Sequence, residues 1–396
     1  MAEPGSRGEV VIVGGGVAAL ETLMALHDLA PAGVRVRLVA AEPDFVYRPM
    51  SVAAPFGLGE ARRYSLQRVV DDFGAALVQA GVAAVDTPAR RIVLRSGDTI
   101  GYDTLVLAPG ARMLPAFDAA VTFGGPQSGA AMRALLDELE AGSAWRFAFV
   151  VPTLVGWALP LYELALLTAR HAEQKRLERQ LVLVTPEPRP LALFGDRASA
   201  TVAEMLAAAG VEFVGESQVE PVERAVRLLP SGRMVPTDRL VALPLLRGPR
   251  LDGVPSEPTF GFIPVDPHGR VDGLEGVYAA GDATNFPIKQ GGLATQQADA
   301  VAEHVAARYG VRLDPVPFRP VLRGMLFAGG PDRYLRAGDD AVAAQPLWWP
   351  PTKIAGRYLA PYVYEREPAA EPGPAPEGFV DLEVPLEAID AAPVRG

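Results

Sequence analysis

The chain has 396 residues, of which 49% are hydrophobic and 21% are charged, and its formal net charge is −10. This length allows two or three domains with sizeable cores, whereas the acidic balance disfavours nucleic acid as a partner, because binding phosphates requires a basic face. The sequence contains no cysteine, which excludes disulfides, thiolate metal sites, redox-active cysteine pairs and a cysteine nucleophile.

The N-terminal segment predicts a strand–helix–strand unit. It follows Met1–Gly8, which lacks the apolar stretch of a signal peptide. Val10–Val13 is a continuous apolar strand, as in parallel sheets that are covered on both faces. Leu20–Leu29 has helical apolar spacing, and Val34–Val39 is the second strand of a βαβ unit. Further short strands are predicted at Ile92–Leu94 and Leu105–Ala108.

A glycine-rich turn, GGGVAA from residue 14, joins the first strand to the first helix and fits G-x-G-x-x-A. Gly14 makes the tight turn, Gly16 lets the backbone approach a pyrophosphate, and Ala19 allows close packing of helix on strand. The anion then lies at the N-terminus of the helix. We therefore predict a dinucleotide in contact with Gly14, Gly16, Ala18 and Ala19. Glu42, the first carboxylate after the second strand, fits a ribose ligand and a solvated turn residue equally well.

A second strand–helix–strand pattern follows. Its predicted elements are strand Trp145–Val151, helix Leu159–Ala172, strand Leu181–Val184, helix Ala198–Ala209 and strand Val211–Val214. Leu240–Leu246 (LVALPLL) echoes Leu105–Gly110 (LVLAPG), which predicts that two nucleotide-binding-type domains are internal repeats. The uncharged run Phe147–Tyr162 is too short to span a bilayer comfortably and contains two prolines. We expect a cytoplasmic protein.

The predicted fold is α/β, with two Rossmann-like domains, the second inserted in the first, and a small C-terminal domain. The predicted ranges are 1–112 and 255–311 for the cofactor-binding domain, 113–254 for the second domain, 312–364 for the C-terminal domain and 365–396 for a tail. The tail is rich in Pro, Ala and Glu, so we expect it to be held loosely or wrapped on the surface.

The string VYAAGDATNFPIKQGG, Val277–Gly292, predicts the second half of a flavin site. Asp282 follows a strand, where its carboxylate can accept a hydrogen bond from the ribityl chain of FAD. The helix predicted at about Gly292–Arg308 directs its N-terminus at the flavin, and this dipole favours the negative charge that develops on reduction. Lys289, just before that helix, can add a full positive charge; the alternative is a surface lysine.

Three strings, GGGVAAL, YDTLVLAPGAR (Tyr102–Arg112) and GVYAAGDATNFP, together resemble the FAD-dependent pyridine nucleotide-disulfide oxidoreductase superfamily. The similarity covers most of residues 8–310. Within this superfamily the chain most resembles the branch with sulfide:quinone oxidoreductases, flavocytochrome c sulfide dehydrogenases and type II NADH dehydrogenases. The resemblance implies FAD as cofactor and a C-terminal domain that covers the flavin.

Two further segments extend this resemblance. VYRPMSVAAPFG, Val46–Gly57, resembles the segment that lies along FAD in that branch, and GGLATQQA, Gly291–Ala298, resembles AQxAxQQ at the quinone side of type II NADH dehydrogenases. Gly292 replaces the first glutamine of that string. Taken together, the residues expected to bind the cofactor are Gly14, Gly16, Ala18, Ala19, Glu42, Arg48, Pro49, Ala108, Pro109, Gly110, Gly281, Asp282, Lys289 and Gln290.

The loop Val151–Pro160 departs from the family pattern, in which members that use pyridine nucleotides open the inserted domain with a second glycine motif. Trp157, Leu159 and Pro160 stand where a pyrophosphate would need bare backbone, so the sequence disfavours ordinary NAD(P)H binding. The sulfide-oxidising relatives have a similar Pro-rich replacement together with a catalytic cysteine. Because this chain has no cysteine, sulfide oxidation through a cysteine persulfide and disulfide reduction are excluded.

The C-terminal region contains an aromatic and basic cluster formed by Trp348, Trp349, Lys353, Arg357, Tyr358 and Tyr362. In the relatives this region helps to build a quinone pocket at the membrane surface. Simple packing of the aromatic rings on the body is the favoured interpretation. A peripheral membrane contact stays open, although no long amphipathic helix supports it.

The leading hypothesis is an FAD-dependent oxidoreductase that passes electrons from a non-thiol donor to a quinone or a similar acceptor. One alternative is an NAD(P)H:quinone oxidoreductase of the type II kind, and another is a non-catalytic FAD-binding partner or sensor protein. Lys289, Tyr162 and Glu163 are speculative catalytic candidates. The four histidines show no ligand spacing, so no metal site is predicted. A homodimer stays open.

Overall fold

The computed structural model describes residues 8–153, 156–366, 379 and 381–386; Leu154 and Val155 of the predicted loop and most of the predicted tail lie outside the described residues. The strands are β1 Gly8–Val13, β2 Val34–Ala40, β3 Asp44–Tyr47, β4 Arg62–Ser65, β5 Ala76–Gln79, β6 Val82–Asp86, β7 Arg91–Leu94, β8 Thr99–Gly101, β9 Thr104–Leu107, β10 Arg112–Leu114, β11 Ala120–Thr122, β12 Arg146–Val150, β13 Gln180–Val184, β14 Val211–Val214, β15 Gln218–Val222, β16 Ala225–Leu229, β17 Met234–Pro236, β18 Arg239–Ala242, β19 Leu245–Arg247, β20 Val277–Ala279, β21 Arg323–Leu326, β22 Arg333–Arg336 and β23 Ala341–Ala343. The α-helices are α1 Val17–Leu29, α2 Leu66–Asp72, α3 Gly129–Glu140, α4 Leu159–Lys175, α5 Asp196–Ala208, α6 Gly291–Arg308 and α7 Leu359–Tyr364.

The first sheet is parallel, with strand order β20-β9-β1-β2-β5. Its central strand contains the predicted apolar run. Val10 and Ile12 pack against α1 and α6, whereas Val11 and Val13 pack against the small sheet β6-β7-β8. Because both faces are covered, every position of this run is buried. The edge strand β20 arrives after the second domain, so the first domain is built from two distant parts of the chain.

The second sheet repeats this arrangement in the order β11-β18-β12-β13-β14, again parallel. β18 pairs with β12 as β9 pairs with β1. These two strands open the LVALPLL and LVLAPG segments, so the predicted internal repeat is present in the topology. The two segments that connect the first and second domains pair with each other as the antiparallel strands β10 and β19. The chain is back on the first domain by Asp252, whose carbonyl accepts the Val85 N–H (2.8 Å).

The C-terminal region consists of the antiparallel sheet β21-β22-β23, a loop and α7. Glu21 of α1 is fully buried and accepts the backbone N–H groups of Tyr358 (2.9 Å) and Leu359 (2.7 Å). This carboxylate therefore fixes the start of α7 to the helix that follows the glycine turn. The described part of the tail lies on this region, since the Leu386 N–H donates to the Pro320 carbonyl (2.7 Å).

Among the helices of the described residues, none combines the length and the apolar character needed to cross a membrane.

Candidate functional site

A cavity of about 1150 Å³ lies between the two parallel sheets, at their carboxyl ends, where ligands bind in folds of this kind. Its volume is at or above the roughly 300–1,000 Å³ of ordinary small-molecule sites. Ala19 is buried beneath the cavity and does not line it. The other residues predicted to bind the cofactor all line it, namely Gly14, Gly16, Ala18, Glu42, Arg48, Pro49, Ala108, Pro109, Gly110, Gly281, Asp282, Lys289 and Gln290.

The glycine turn is wedged between two strand ends. The Gly14 N–H donates to the Val39 carbonyl (2.9 Å), and its φ of +127° is strained for any other residue. A Cβ at this position would lie 2.1 Å from the Ala108 carbonyl oxygen. Gly16 is the N-cap of α1 and lines the cavity, so the N-terminus of the helix faces the cavity. No side chain caps this end of the helix. This cradle fits the pyrophosphate of a dinucleotide.

The turn after β20 brings Asp282 to the cavity wall. The Gly281 N–H donates to Gln297 Oε1 (2.7 Å), and Thr284 Oγ1 donates to the Gly281 carbonyl (2.9 Å). Burial raises the pKa of Asp282, while the positive charge of Lys289 opposes that rise. Gln297, part of the string similar to the quinone-side motif, therefore supports the turn from behind and does not line the cavity.

Lys289 is buried and lines the cavity. Its ammonium donates to the Thr284 carbonyl and lies 3.7 Å from the centroid of the Phe262 ring. Burial lowers the pKa of Lys289 to about 7, against the opposing effect of Asp282 and Glu257. The group is thus poised to change charge near neutral pH beside the predicted flavin site.

Lys289→Met is expected to lower the midpoint potential of the bound flavin, because the lysine charge favours the reduced, more negative cofactor. A shift on the order of 30 mV corresponds to about 1.4 kcal/mol for a two-electron couple. Since the pKa is about 7, the lysine loses its charge above that pH, and the difference from the wild type should shrink there. Dye-equilibration titrations on both sides of neutrality measure this. Lys175→Met, at an exposed lysine, is the control; an undiminished shift at alkaline pH would contradict the assignment.

Glu163 and Lys353 form a buried ion pair on the wall of the cavity. Their nearest atoms are 2.5 Å apart, and their side chains are 1% and 5% exposed. Glu163 Oε1 also accepts the Phe327 N–H (2.7 Å), and Lys353 Nζ donates to the Pro49 carbonyl (3.3 Å). Burial raises the pKa of Glu163, whereas the charge of Lys353 opposes the rise. The pair connects both domains to the C-terminal region.

Tyr162, the neighbouring candidate, is fully buried and does not line the cavity. Its hydroxyl donates to Glu187 Oε2 (2.7 Å) and accepts the Leu191 N–H (3.3 Å). Burial raises the pKa of Tyr162, and the adjacent Glu187 raises it further. The phenol therefore orders the end of β13. Its proposed role in catalysis stays an untested prediction.

The loop Val151–Pro160 contacts the first domain at Gly156. Gly156 forms a β-bridge with Ile288, and the Trp157 ring meets Phe194 edge-on with centroids 5.8 Å apart. Pro160 is the second residue of α4 and has no N–H to offer. At the loop where the sequence disfavours a second pyrophosphate, the structure thus has two packed aromatic rings and, at Pro160, no backbone N–H.

The C-terminal aromatic residues named from sequence do not line the cavity. Trp348 is 1% exposed and packs edge-on against Tyr334, with centroids 5.1 Å apart. The hydroxyls of Tyr358 and Tyr362 donate to Asp28 and Asp72. Lys353 and Ile354, from the same region, do reach the cavity. Packing on the body thus accounts for these rings, and membrane contact stays a prediction.

The chain is similar to known proteins in both sequence and fold. Residues 8–302 match the profile described as pyridine nucleotide-disulphide oxidoreductase. An NADH dehydrogenase-like protein of Mycobacterium tuberculosis (strain CDC 1551 / Oshkosh) is 30% identical over 292 residues, covering 69% of this chain and 72% of that protein. The sulfide:quinone oxidoreductase structure from Aquifex aeolicus superimposes with a TM-score of 0.76 at 19% identity, covering 84% of this chain and 83% of that one. The structure of the covalent putidaredoxin reductase–putidaredoxin complex contains a chain that superimposes with a TM-score of 0.61 at 19% identity, covering 84% of this chain and 81% of that one. These likenesses confirm the predicted fold.

Proposed function

Because the chain belongs to the pyridine nucleotide-disulphide oxidoreductase family, we propose that it passes electrons from a non-thiol donor to an acceptor of the quinone class. The chain is an oxidoreductase and its cofactor is FAD, whose site the glycine cradle and Asp282 fit. When bound, FAD supplies two-electron chemistry between a donor and an acceptor. The residues predicted to bind it stay proposals for direct contact. Because the sequence contains no cysteine, the donor cannot be oxidised through a thiol of the protein.

The observation that carries this proposal is the buried pair Glu163–Lys353 on the cavity wall. Reducing a quinone to a quinol takes up two protons with the two electrons, so an enclosed site needs a residue that holds a proton. Burial raises the pKa of Glu163, which favours proton uptake, and Lys353 orients its Oε1. Glu163, which is charged in the ion pair, can therefore take up a proton from Lys353 Nζ and pass it to the acceptor as the acceptor is reduced.

A second candidate is NADH as the donor, which the name of the mycobacterial relative favours. The Trp157–Phe194 contact and the uncharged loop Val151–Pro160 oppose it. An anaerobic titration of the purified holoprotein with NADH decides between the two. Rapid bleaching of the flavin band would replace our proposal by the dehydrogenase, and an oxidised spectrum throughout would exclude NADH as direct donor.

The quinone step is tested separately. Holoprotein is reduced anaerobically with limiting dithionite and mixed with a water-soluble quinone. We expect reoxidation in the wild type and a rate at least about 100-fold lower in Glu163→Gln, the usual contribution of an acid–base group. Glu21→Gln, at a second buried carboxylate that does not line the cavity, should reoxidise normally. No reoxidation of the wild type would refute the acceptor, and a normal rate in Glu163→Gln would refute the role of this residue.

The cellular location, a membrane contact and a homodimer are proposed as well. We propose a cytoplasmic protein with a peripheral membrane contact through the C-terminal region, since a quinone acceptor resides in a bilayer. Flotation of the holoprotein with anionic vesicles tests this contact, and sedimentation tests the homodimer.

A further inference from the structure

One side of the cavity is apolar and belongs to the second domain. We call it the second-domain alcove; it is formed by Trp157, Leu191, Leu193, Phe194 and Leu246, which all line the cavity. The Trp157 and Phe194 rings are in edge contact, with centroids 5.8 Å apart. Leu246 approaches the same loop, since its Cδ1 lies 3.6 Å from the position of a Cβ at Gly156. The alcove is therefore one continuous surface.

The alcove changes from buried to exposed between its two ends. Leu191 and Phe194 are 3% and 1% exposed, whereas Leu193 is 43% exposed at the cavity mouth. The buried end is preformed, since Phe194 also packs on Gly324, where a Cβ would come within 2.6 Å of Cζ.

Glu187, an acidic side chain of the second domain that lines the cavity, is already used by the protein. Glu187 follows β13, the position from which a nucleotide-binding domain offers a carboxylate to a ribose hydroxyl. Here Glu187 Oε2 accepts hydrogen bonds from Tyr162 (2.7 Å) and Thr185 (3.1 Å). Val151–Pro160 contains no charged residue that could meet a phosphate. The features that recognise a dinucleotide are thus engaged or absent, and an aromatic and aliphatic surface remains.

We infer that the second-domain alcove binds an uncharged, planar, apolar molecule, and that this molecule is the electron donor, because the alcove lies where a nucleotide-binding domain holds its nucleotide, whereas the acceptor is assigned to the Glu163–Lys353 wall. The inference rests on the proposed function and names the chemical class of its missing substrate. Trp157, which the buried Phe194 holds in place by their edge contact, offers an aromatic surface to a planar ligand, and the leucines exclude water from it. Over one turnover two O–H or N–H bonds on the ring of the donor break, which releases two electrons and two protons. The quinone gains them as two O–H bonds, so the reaction balances with no further reactant.

The test uses two aromatic compounds with the same ring system. N-phenyl-1-naphthylamine is uncharged, and its relative 8-anilinonaphthalene-1-sulfonate carries one sulfonate. Calorimetric titration of the holoprotein should give a Kd at least about tenfold lower for the uncharged compound. Equal or tighter binding of the sulfonate would overturn the inference, because it would reveal an anion site.

A matched pair of variants locates the binding. Leu193→Glu places a charge at the mouth of the alcove, and Met234→Glu places one at an equally exposed apolar residue (48%) of the second domain outside the cavity. Both positions are exposed, so both variants should fold. We expect Leu193→Glu to weaken binding of the uncharged compound at least about tenfold, and Met234→Glu to leave it unchanged. Unchanged binding in Leu193→Glu, or equal losses in both variants, would overturn the site.

Failure of this inference is distinguishable from failure of the proposed function. Quinone reoxidation of chemically reduced holoprotein needs no donor in the alcove, so that experiment stands or falls on Glu163 and the acceptor alone. If reoxidation occurs and the uncharged compound does not bind, the donor class is wrong and the acceptor assignment is retained. If the bound compound slows quinone reoxidation, the alcove holds the acceptor and the inference is overturned.

Discussion

Gly14→Ala is expected to yield a protein that no longer retains FAD. The new Cβ would lie 2.1 Å from the Ala108 oxygen, well inside contact distance, at a φ of +127° that alanine does not readily adopt. Relief requires the glycine turn and the segment after β9 to separate, and both line the cavity. We expect the affinity for FAD to fall by at least about 100-fold, or about 2.7 kcal/mol. The ratio of flavin to protein absorbance after purification, followed by titration of the apoprotein with FAD, measures this loss.

A control variant at a second glycine separates the effect of the steric clash at Gly14 from the effect of its positive φ. Gly59 has a similarly unusual φ of +152°, but the nearest atom to a Cβ there is 3.5 Å away and the residue does not line the cavity. Gly59→Ala should lose some stability and keep its flavin. If Gly14→Ala also retained its full complement of FAD, the cradle would not be the pyrophosphate site.

Lys353→Met is expected to destabilise the holoprotein by about 3–5 kcal/mol, the usual cost of leaving one partner of a buried ion pair alone. Glu163 is 1% exposed, and without Lys353 only the Phe327 N–H remains of the two contacts that stabilise its charge. Burial already raises the pKa of Glu163, and loss of Lys353 should raise it further. An acid with a raised pKa in the folded state costs no stability at low pH and increasingly more as the pH rises above the ordinary value near about 4.3. The deficit should therefore be larger at mildly alkaline than at mildly acidic pH, as urea unfolding at several pH values will show.

The double variant Glu163→Gln/Lys353→Met completes this experiment. Replacing both partners removes the uncompensated charge, so most of the lost stability should return and the pH dependence should disappear. A double variant as unstable as Lys353→Met would mean that the packing of the lysine stem, and not the ion pair, holds the C-terminal region in place.

Local signals allowed much of this fold to be predicted. The buried strand Val10–Val13 is apolar throughout because both faces of its sheet are covered, and the turn at Gly14 is encoded within a few residues. The echo between Leu105–Gly110 and Leu240–Leu246 predicted the repeat, since each segment begins with the corresponding strand of its sheet. Asp282 was predicted to bind the cofactor because it follows a strand, and Lys289 because it lies just before the helix at Gly291–Arg308.

Contacts between distant segments of the chain could not be predicted from the sequence. Glu163 and Lys353 are each visible as charged residues, but their pairing across 190 positions depends on how the C-terminal region docks. Helix α4 is buried along most of its length, so periodicity could not show that Glu163 faces the cavity while Tyr162 turns to Glu187. The aromatic residues near Trp348 looked like one cluster, but they divide among separate partners once the chain is folded.

The first sheet has a thermodynamic consequence that follows from its discontinuity. β20 pairs with β9 at Val277 and Leu105, so closing this edge ties off a loop that contains the whole second domain. Loop closure of this kind costs conformational entropy, although the cost grows only logarithmically with length. A ligand that contacts both the Gly14 turn and Asp282 bridges the two ends of that loop and offsets the cost by mass action. If FAD makes both of the contacts proposed for it, it stabilises the first domain as well as reacting, and its release and the opening of the first domain should occur as one cooperative event.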